Sequence, residues 1–295
     1  MLRVAITGST GLVGARSLEL LSRQFTFQGL GRKNGFDLLT LTPETCAPFL
    51  KDSDAVLHLA ARTDVDGIEQ ERPQGPNGNA WHVNVDGTRA LAKAASLRGI
   101  PLLFVSTDFV FAAAAQGPFP EAPAATRDAN ETSWYGWTKL AAERELLHQP
   151  RNAILRISYP YVAHHPTLVD HARRTLQLHR ENRLYPLYDD QLFTPSFIDD
   201  VTTSLATILT KRLSGIFHCA STDRLTPLAF ATALLRAVGE DRTDLKRARF
   251  PPTQPGKAPR PQSGGLETER SRRAGLRVRS TTESLAEFAR QVRTT

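Results

Sequence analysis

Two residues on a predicted helix have the types and the spacing for proton transfer to a carbonyl group. The helix is predicted to begin near Glu131 and carries Tyr135 and Lys139, four residues apart, so that phenol and ammonium share one face. A free phenol has a pKa of about 10, and a cation within a few ångströms lowers it by stabilising the phenolate. We therefore expect Tyr135 to act as a general acid, with Lys139 lowering its pKa.

A third polar residue lies at the end of a predicted strand. Residues 101–106 have the composition of a buried strand, and Thr107 follows them directly. In open parallel sheets, the ligand crevice lies at the carboxyl ends of the strands. We expect Thr107 to hold the carbonyl oxygen through a second hydrogen bond. Tyrosine and lysine at this spacing also occur by chance in many helices, so the interpretation depends on the elements around them.

The chain opens with a strand, a glycine-rich turn and a helix. A strand from Leu2 leads into Gly8, Gly11 and Gly14, and residues 12–21 have apolar residues at helical spacing. Gly8 permits a sharp turn, Gly11 leaves room for a pyrophosphate, and Gly14 lets the helix lie close to the strand. This pattern favours a dinucleotide site, and a tight turn without a ligand is the alternative.

A basic pair follows the second predicted strand, residues 25–30. NAD-preferring sites place an acidic residue there for the ribose 2′-hydroxyl, whereas this chain has Arg32 and Lys33. Because a guanidinium can bind phosphate oxygens in a bidentate fork, the pair favours NADP(H), with NAD(H) also open. Surface cations without a ligand are the alternative. Asp37, the nearest carboxylate, either contacts the adenosine or belongs to a surface turn.

The alternation of strands and helices predicts an α/β fold with a doubly wound parallel sheet. Residues 1–158 are predicted to form an NAD(P)-binding Rossmann domain, and residues 159–295 mainly a smaller C-terminal substrate-binding lobe. Two later segments, 194–199 and 215–219, are expected to return as strands to the sheet. Residues 246–279 are rich in arginine, proline and glycine. We expect them to be ordered and to bring one or two arginines to the substrate's pyrophosphate, and a solvated tail is the alternative.

Composition narrows the class of protein. The chain has 295 residues, 40% of them apolar, which is enough for a full core. It has neither a leader pattern nor an apolar run near 18 residues, so we expect a cytoplasmic protein with no membrane partner. The net charge of +7 comes without a nucleic-acid-binding motif, and no metal site is expected. Cys46 and Cys219 are expected to be buried thiols, and a homodimer stays open.

The motifs taken together resemble the extended branch of the short-chain dehydrogenase/reductase superfamily, and within it the dTDP-4-dehydrorhamnose reductase family. The resemblance implies NAD(P)H-dependent reduction of a keto group on a nucleoside-diphosphate sugar. The matching motifs run over nearly the whole chain and are Thr7-Gly-Ser-Thr-Gly-Leu-Val-Gly14, Ala60-Ala61, Thr63-Asp-Val-Asp66, Asn84-Val-Asp-Gly-Thr88, Ser106-Thr-Asp-Phe-Val-Phe111, Tyr135-Gly-Trp-Thr-Lys139, Asp189-Asp-Gln191 and Thr194-Pro-Ser-Phe-Ile-Asp-Asp200.

The resemblance also assigns residues. It implies Thr107, Tyr135 and Lys139 as the catalytic residues, with Lys139 also bonding the nicotinamide ribose. Together with the residues above, the expected cofactor contacts are Gly8, Thr10, Gly11, Leu12, Val13, Gly14, Arg32, Asp37, Ala60, Ala61, Arg62, Val105, Tyr135 and Lys139. The expected substrate contacts are Thr107, Asp108, Phe109 and Tyr159.

Three positions depart from the family pattern. Phe109 stands where a tyrosine is usual, Arg62 where tyrosine or histidine is usual, and Ala112-Ala113 where Asp-Gly is usual. Sugar 4,6-dehydratases have a glutamate base after the Thr-Asp pair, and Phe109 has no acid or base group, so elimination is not expected. Two alternatives stay open, a nucleotide-sugar epimerase and a non-catalytic NADP-binding regulatory subunit resembling that of methionine adenosyltransferase.

Overall fold

A parallel sheet flanked by helices organises the computed structural model, which describes residues 1–240, 244–251 and 256–294. Its central sheet has six strands in the order β2-β1-β3-β4-β5-β9, and every pair is parallel. The predicted doubly wound α/β fold is confirmed. The strands are β1 (Leu2–Thr7), β2 (Phe25–Leu30), β3 (Ala55–His58), β4 (Leu102–Thr107), β5 (Ala153–Ile157), β6 (Pro160–Tyr161), β7 (Leu187–Tyr188), β8 (Ser196–Phe197), β9 (Gly215–His218) and β10 (Arg247–Ala248).

Helices cover both faces of this sheet. The α-helices of the described residues are α1 (Leu12–Leu21), α2 (Pro43–Cys46), α3 (Val65–Glu69), α4 (Asn79–Trp81), α5 (Gly87–Leu97), α6 (Trp134–Leu147), α7 (His171–Arg180), α8 (Ile198–Lys211), α9 (Pro227–Val238), α10 (Glu269–Arg273) and α11 (Thr281–Arg293). Apolar residues of α1 and α8 pack on one face, and those of α2, α5 and α6 pack on the other. Since both faces are covered, the strands are short, nearly continuous apolar runs.

A second core lies beyond the sheet. Tyr161, Phe230 and Phe288 are fully buried there, and the core is built from α7, α9 and α11 around the short parallel pair β6–β8. The expectation for residues 194–199 is therefore wrong in one respect, because β8 pairs with β6 and not with the central sheet. The other returning segment, which forms β9, does join the sheet beside β5.

Several element bounds differ from the predicted ones. Residues 65–77 include α3 and a 3₁₀ turn, and a π-type turn at His82–Asp86 joins α4 to α5. The helix expected near Glu131 begins at Trp134, because Ser133 caps it by accepting a hydrogen bond from the Gly136 N–H at 3.0 Å. Across the described part of the chain, no helix is both long and apolar enough to cross a bilayer.

The alanine- and proline-rich segment 112–125 is held by backbone pairing. Gly117 N–H donates to Ser263 O at 2.7 Å, and Phe119 N–H donates to Gly265 O at 2.8 Å. Part of the predicted ordered stretch 246–279 is thus packed against the chain, although its residues 252–255 lie outside the described residues.

Candidate active site

One large cleft lies at the carboxyl edge of the central sheet. Its volume is about 1400 Å³, and it is lined from the glycine turn at one end to Tyr159 and Arg260 at the other. All residues predicted above as cofactor, substrate or catalytic contacts line this one cleft. A crevice at this edge is the position at which open parallel sheets bind ligands.

Thr107, Tyr135 and Lys139 meet in the middle of the cleft. Thr107 is the last residue of β4, and its Oγ1 accepts a hydrogen bond from the Phe109 N–H at 3.3 Å. Tyr135 and Lys139 lie one turn apart in α6, and all three side chains are almost fully buried. Lys139 Nζ donates to Val105 O at 2.9 Å and lies 3.8 Å from the centre of the Phe104 ring. A β-strand end and a helix face therefore hold a phenol, an ammonium and a hydroxyl together.

The pKa values in this group differ from the expectation that Lys139 lowers the pKa of Tyr135. Burial raises the pKa of Tyr135, the Asp108 charge adds to the increase, and a hydrogen bond with Thr107 opposes it. Burial lowers the pKa of Lys139 to about 7, against the opposing charge of Glu143. The reason is desolvation, which disfavours the charged form of each group. In this structure burial, and not the lysine charge, determines the protonation of the phenol.

The glycine turn has the shape needed for a dinucleotide phosphate. Gly8 has φ +70°, and a Cβ on Gly14 would lie 2.1 Å from Gly8 O, so both are required by the backbone itself. A Cβ on Gly11 would meet only Gly8 O, at 3.3 Å. Gly11 is the N-cap of α1 and provides no side-chain cap for the first N–H groups of that helix. These N–H groups and the bare Cα of Gly11 fit a pyrophosphate.

Arg32 and Lys33 lie on the rim of the cleft. They follow β2 in a 3₁₀ turn that Asn34 fixes, since its Oδ1 accepts from Gly31 N–H at 2.9 Å and its Nδ2 donates to Gly29 O at 2.7 Å. Among the described residues, neither cation lies within salt-bridge distance of a carboxylate. Asp37 Oδ1 accepts from Leu39 N–H at 3.1 Å, which is the surface-turn contact considered above, although Asp37 also lines the cleft.

Asn84 fixes the loop after β3 through two hydrogen bonds to the backbone of Arg62. Its Oδ1 accepts from Arg62 N–H at 2.8 Å and its Nδ2 donates to Arg62 O at 3.1 Å. The Arg62 guanidinium pairs with Glu71, whose other oxygen accepts from Ala80 N–H at 2.7 Å. The unusual arginine at this position is therefore partly neutralised within the cleft wall.

Two further polar residues were not identified from the sequence; one lines the cleft, and the other contacts a residue that lines it. Ser158 follows β5 and donates to the buried carboxylate of Asp108 at 2.7 Å. Arg260 lines the cleft and pairs with Asp66 at 2.9 Å. The basic composition of residues 246–279 predicted that an arginine would be present, but it contains no pattern that separates Arg260 from its neighbours.

His58 is a buried, hydrogen-bonded core residue. Its ring nitrogens lie 2.7 Å from Thr7 Oγ1 and 2.9 Å from Thr88 Oγ1, and burial lowers its pKa to about 3. Cys46 and Cys219 are buried as expected. Burial raises the pKa of each thiol to about 12, so both are protonated at neutral pH.

Comparison with known proteins agrees with this geometry. Residues 2–294 match the family model described as the RmlD substrate binding domain. A dTDP-4-dehydrorhamnose reductase of Sinorhizobium fredii is 31% identical over 96% of this chain and 95% of its own. The crystal structure of a dTDP-4-dehydrorhamnose reductase from Clostridium acetobutylicum superposes with a TM-score of 0.84 at 24% identity, covering 99% of this chain and 100% of that one. A second such reductase, from Bacillus anthracis in complex with NADP, has a TM-score of 0.84 at 22% identity and covers 98% and 99%. This chain therefore belongs to the RmlD substrate binding domain family.

Proposed function

We propose that this protein is an NADPH-dependent reductase of a keto group on a nucleoside-diphosphate sugar, as the named activity of its relatives indicates. The observation that supports this most directly is the convergence of Thr107, Tyr135 and Lys139 on a cleft that also contains the glycine turn. A phenol that donates a proton, beside a site shaped for a dinucleotide, is what carbonyl reduction requires.

The part of the cleft between the glycine turn and the end of β4 would bind the cofactor; its lining includes Gly8 and Val105. The N–H groups at the start of α1 and the bare Cα of Gly11 would hold the pyrophosphate, and Arg32 with Lys33 would hold a 2′-phosphate. Because no carboxylate among the described residues pairs with these two cations, they are available to an anionic ligand. Bound NADPH supplies the hydride for the carbonyl carbon.

The substrate half of the cleft provides the proton and the orientation. Burial keeps the Tyr135 phenol protonated at neutral pH, so it enters the reaction as the proton donor. The ammonium of Lys139, one turn further along α6, would stabilise the phenolate that is left, and Thr107 would donate to the carbonyl oxygen. Asp108, Phe109 and Tyr159 line the part of the cleft where the sugar would lie.

The side chain at position 109 favours reduction over elimination as the reaction of this site. Its side chain has no acid or base group and packs edge-on against Tyr135, with ring centroids 5.8 Å apart. No residue at that position can remove a proton from the sugar ring, so dehydration has no base there. Epimerisation would need only the same three catalytic residues, and it is separated from reduction by the fate of the cofactor.

Incubation with a 4-keto nucleotide sugar and NADPH deuterated at the transferred position tests the proposal. A reductase leaves one deuterium on the 4-carbon of the sugar and releases one NADP⁺ per product. Turnover without net oxidation of NADPH would instead identify an epimerase. NADPH bound without any turnover on a panel of nucleotide sugars would identify a non-catalytic binder.

A further inference from the structure

We propose that Gln191 is a positioning residue that directs the hydroxyl group of Tyr159 into the cleft, where this hydroxyl donates a hydrogen bond to an oxygen atom of the nucleotide sugar. The inference rests on the proposed function, because it names a residue that would act on the substrate through Tyr159. Tyr159 lines the cleft, whereas Gln191 does not and is 4% exposed.

The side-chain amide of Gln191 donates through its nitrogen to two partners. Nε2 donates to Pro261 O at 3.1 Å and to Tyr159 Oη at 3.5 Å. A backbone carbonyl can only accept a hydrogen bond, so Pro261 requires the nitrogen of the amide, and not its oxygen, on this side. The orientation of the amide is thereby fixed, and an N–H of Gln191 points at the Tyr159 oxygen.

This contact leaves the proton of the Tyr159 hydroxyl group for another partner. A phenol has one O–H and can donate and accept at the same time. Because Gln191 donates, the Tyr159 oxygen is the acceptor in their contact, and its own proton points elsewhere. Within residues 1–240, 244–251 and 256–294, no side chain or backbone oxygen accepts a hydrogen bond from this hydroxyl. The donor is therefore available to a ligand in the cleft that Tyr159 lines.

The ring and the backbone of Tyr159 are fixed as well. The ring centroid lies 4.4 Å from that of Phe193 and 5.8 Å from that of His171, whose ring it meets edge-on. The backbone has φ +44°, in the left-handed region that residues other than glycine rarely adopt. A conformation of this kind persists only where surrounding contacts determine it, and such residues cluster at ligand sites.

Gln191 and Phe193 contact Tyr159 from one extended segment. They are two residues apart, so in an extended chain their side chains lie on the same side. The backbone between them is paired with the C-terminal segment, since Leu192 N–H donates to Gln262 O at 2.7 Å. Because this pairing fixes the segment, the amide and the aromatic ring approach Tyr159 from defined positions.

Gln191→Met tests the inference, because it removes the amide and keeps a side chain of similar length. The Tyr159 hydroxyl would lose the donor that orients it. We therefore expect KM for the nucleotide sugar to rise about 3- to 10-fold, the effect of losing one neutral hydrogen bond, with kcat and the Kd of NADPH unchanged. Tyr159→Phe should raise KM to a similar extent, because it removes the hydroxyl group itself.

The double variant separates action through Tyr159 from general support of the fold. In the Tyr159→Phe background, Gln191→Met should raise KM less than about 2-fold further, since the hydroxyl group that it orients is already gone. An equal increase of KM in both backgrounds would show that Gln191 only supports the fold. An unchanged KM in Gln191→Met alone would also overturn the inference.

Gln262→Met is the matched control. Gln262 is exposed, does not line the cleft, and contributes its backbone oxygen, which the substitution keeps, to the pairing with Leu192. This variant should keep the wild-type KM. An increase as large as that of Gln191→Met would show that any loss of an amide in this region disturbs the cleft, and would overturn the inference.

A measurement without substrate separates failure of this inference from failure of the proposed function. In NMR spectra of protein with ¹⁵N-labelled glutamine, Gln191→Met identifies the side-chain amide signals of Gln191. Tyr159→Phe keeps the ring but removes the acceptor, so it should shift an amide proton of Gln191 and speed its exchange with solvent. Unmoved signals would overturn the contact between the two residues. If the signals move but the wild type reduces no nucleotide sugar, the contact is supported and the proposed function is contradicted.

Discussion

Tyr135, Asp108 and Lys139 are each almost fully buried, and burial moves their pKa values in opposite senses. It raises the pKa of the phenol and of the carboxyl group and lowers that of the lysine to about 7. Each shift favours the neutral form, as expected when a charge loses its hydration. The spacing of Tyr135 and Lys139 in the sequence identified the pair, but spacing contains no information about depth. Their protonation could therefore not be predicted from the sequence.

A residue-level prediction concerns the choice of cofactor. A charge-assisted hydrogen bond contributes roughly 1.5–3 kcal/mol, so Arg32→Ala should weaken NADPH binding about 10- to 100-fold and leave NADH binding nearly unchanged. Titration of both cofactors measures the two dissociation constants. Arg23→Ala is the matched control, because Arg23 is also exposed but does not line the cleft. An equal loss of affinity for NADPH and NADH would show that Arg32 does not bind the 2′-phosphate.

At the scale of the elements, two glycines of the turn between β1 and α1 are needed for different reasons. Gly14 is needed for packing of α1 on the sheet, and Gly11 is needed for cofactor binding. A Cβ on Gly14 would collide with Gly8 O at 2.1 Å, whereas one on Gly11 would have a single contact at 3.3 Å. We expect Gly14→Ala to lower the thermal midpoint by several degrees, because α1 must move off the sheet. Gly11→Ala should keep a nearly wild-type midpoint and lose at least 10-fold in NADPH affinity, because its methyl group occupies the path of the pyrophosphate.

Thermal unfolding and cofactor titration of both variants check this prediction. Gly239→Ala serves as a control for the loss of a glycine outside the cleft, since a Cβ there meets no atom within 4 Å and only its φ of +83° is strained. If Gly11→Ala binds NADPH as well as the wild type does, the glycine turn is a tight turn and not a phosphate site.

The sequence predicted which segments form strands better than it predicted which strands pair with each other. The buried runs that became β1, β3, β4 and β5 have the apolar character of strands covered on both faces. Residues 194–199 were also predicted to form a strand, but only two of them form β8, and α8 begins at Ile198. Short apolar runs do not distinguish a strand from a buried helix start, and no local signal states which strand will be the neighbour. Pairing of β8 with β6 depends on the second core, which assembles from distant residues.

At the scale of the whole molecule, the C-terminal segment joins parts of the chain that are distant in sequence, at the end of the cleft that contains Arg260. Residues 256–267 contact Asp66 in α3, pair with residues 117–119, and also pair with Leu192, whose N–H donates to Gln262 O at 2.7 Å. Asp66 accepts from Ala258 N–H and Lys257 Nζ, each at 3.1 Å. The basic composition of this segment predicted an arginine at the substrate, whereas its position depends on these long-range contacts.

We propose that Arg260 is the residue through which this segment contacts the substrate. Its guanidinium lies at the cleft 2.9 Å from Asp66, and it is 26% exposed, so it is held in place and still reachable by an anion. A bidentate contact with a diphosphate should contribute roughly 1.5–3 kcal/mol. Arg260→Ala should therefore raise the KM for the nucleotide sugar about 10-fold or more while the Kd of NADPH stays unchanged. Steady-state kinetics with each substrate varied in turn, and inhibition by the free nucleoside diphosphate, measure the two effects.

Lys257→Ala provides the matched control for Arg260→Ala. It removes the same charge and a contact with the same Asp66, but Lys257 does not line the cleft and its side chain is 51% exposed. If holding the segment were the only task of Arg260, both variants would raise KM to a similar extent. If Arg260 binds the diphosphate, only Arg260→Ala weakens inhibition by the free nucleoside diphosphate, and Arg260→Lys restores part of the affinity at most, because an ammonium cannot form the bidentate pair. An unchanged KM in Arg260→Ala would assign the diphosphate to another part of the cleft.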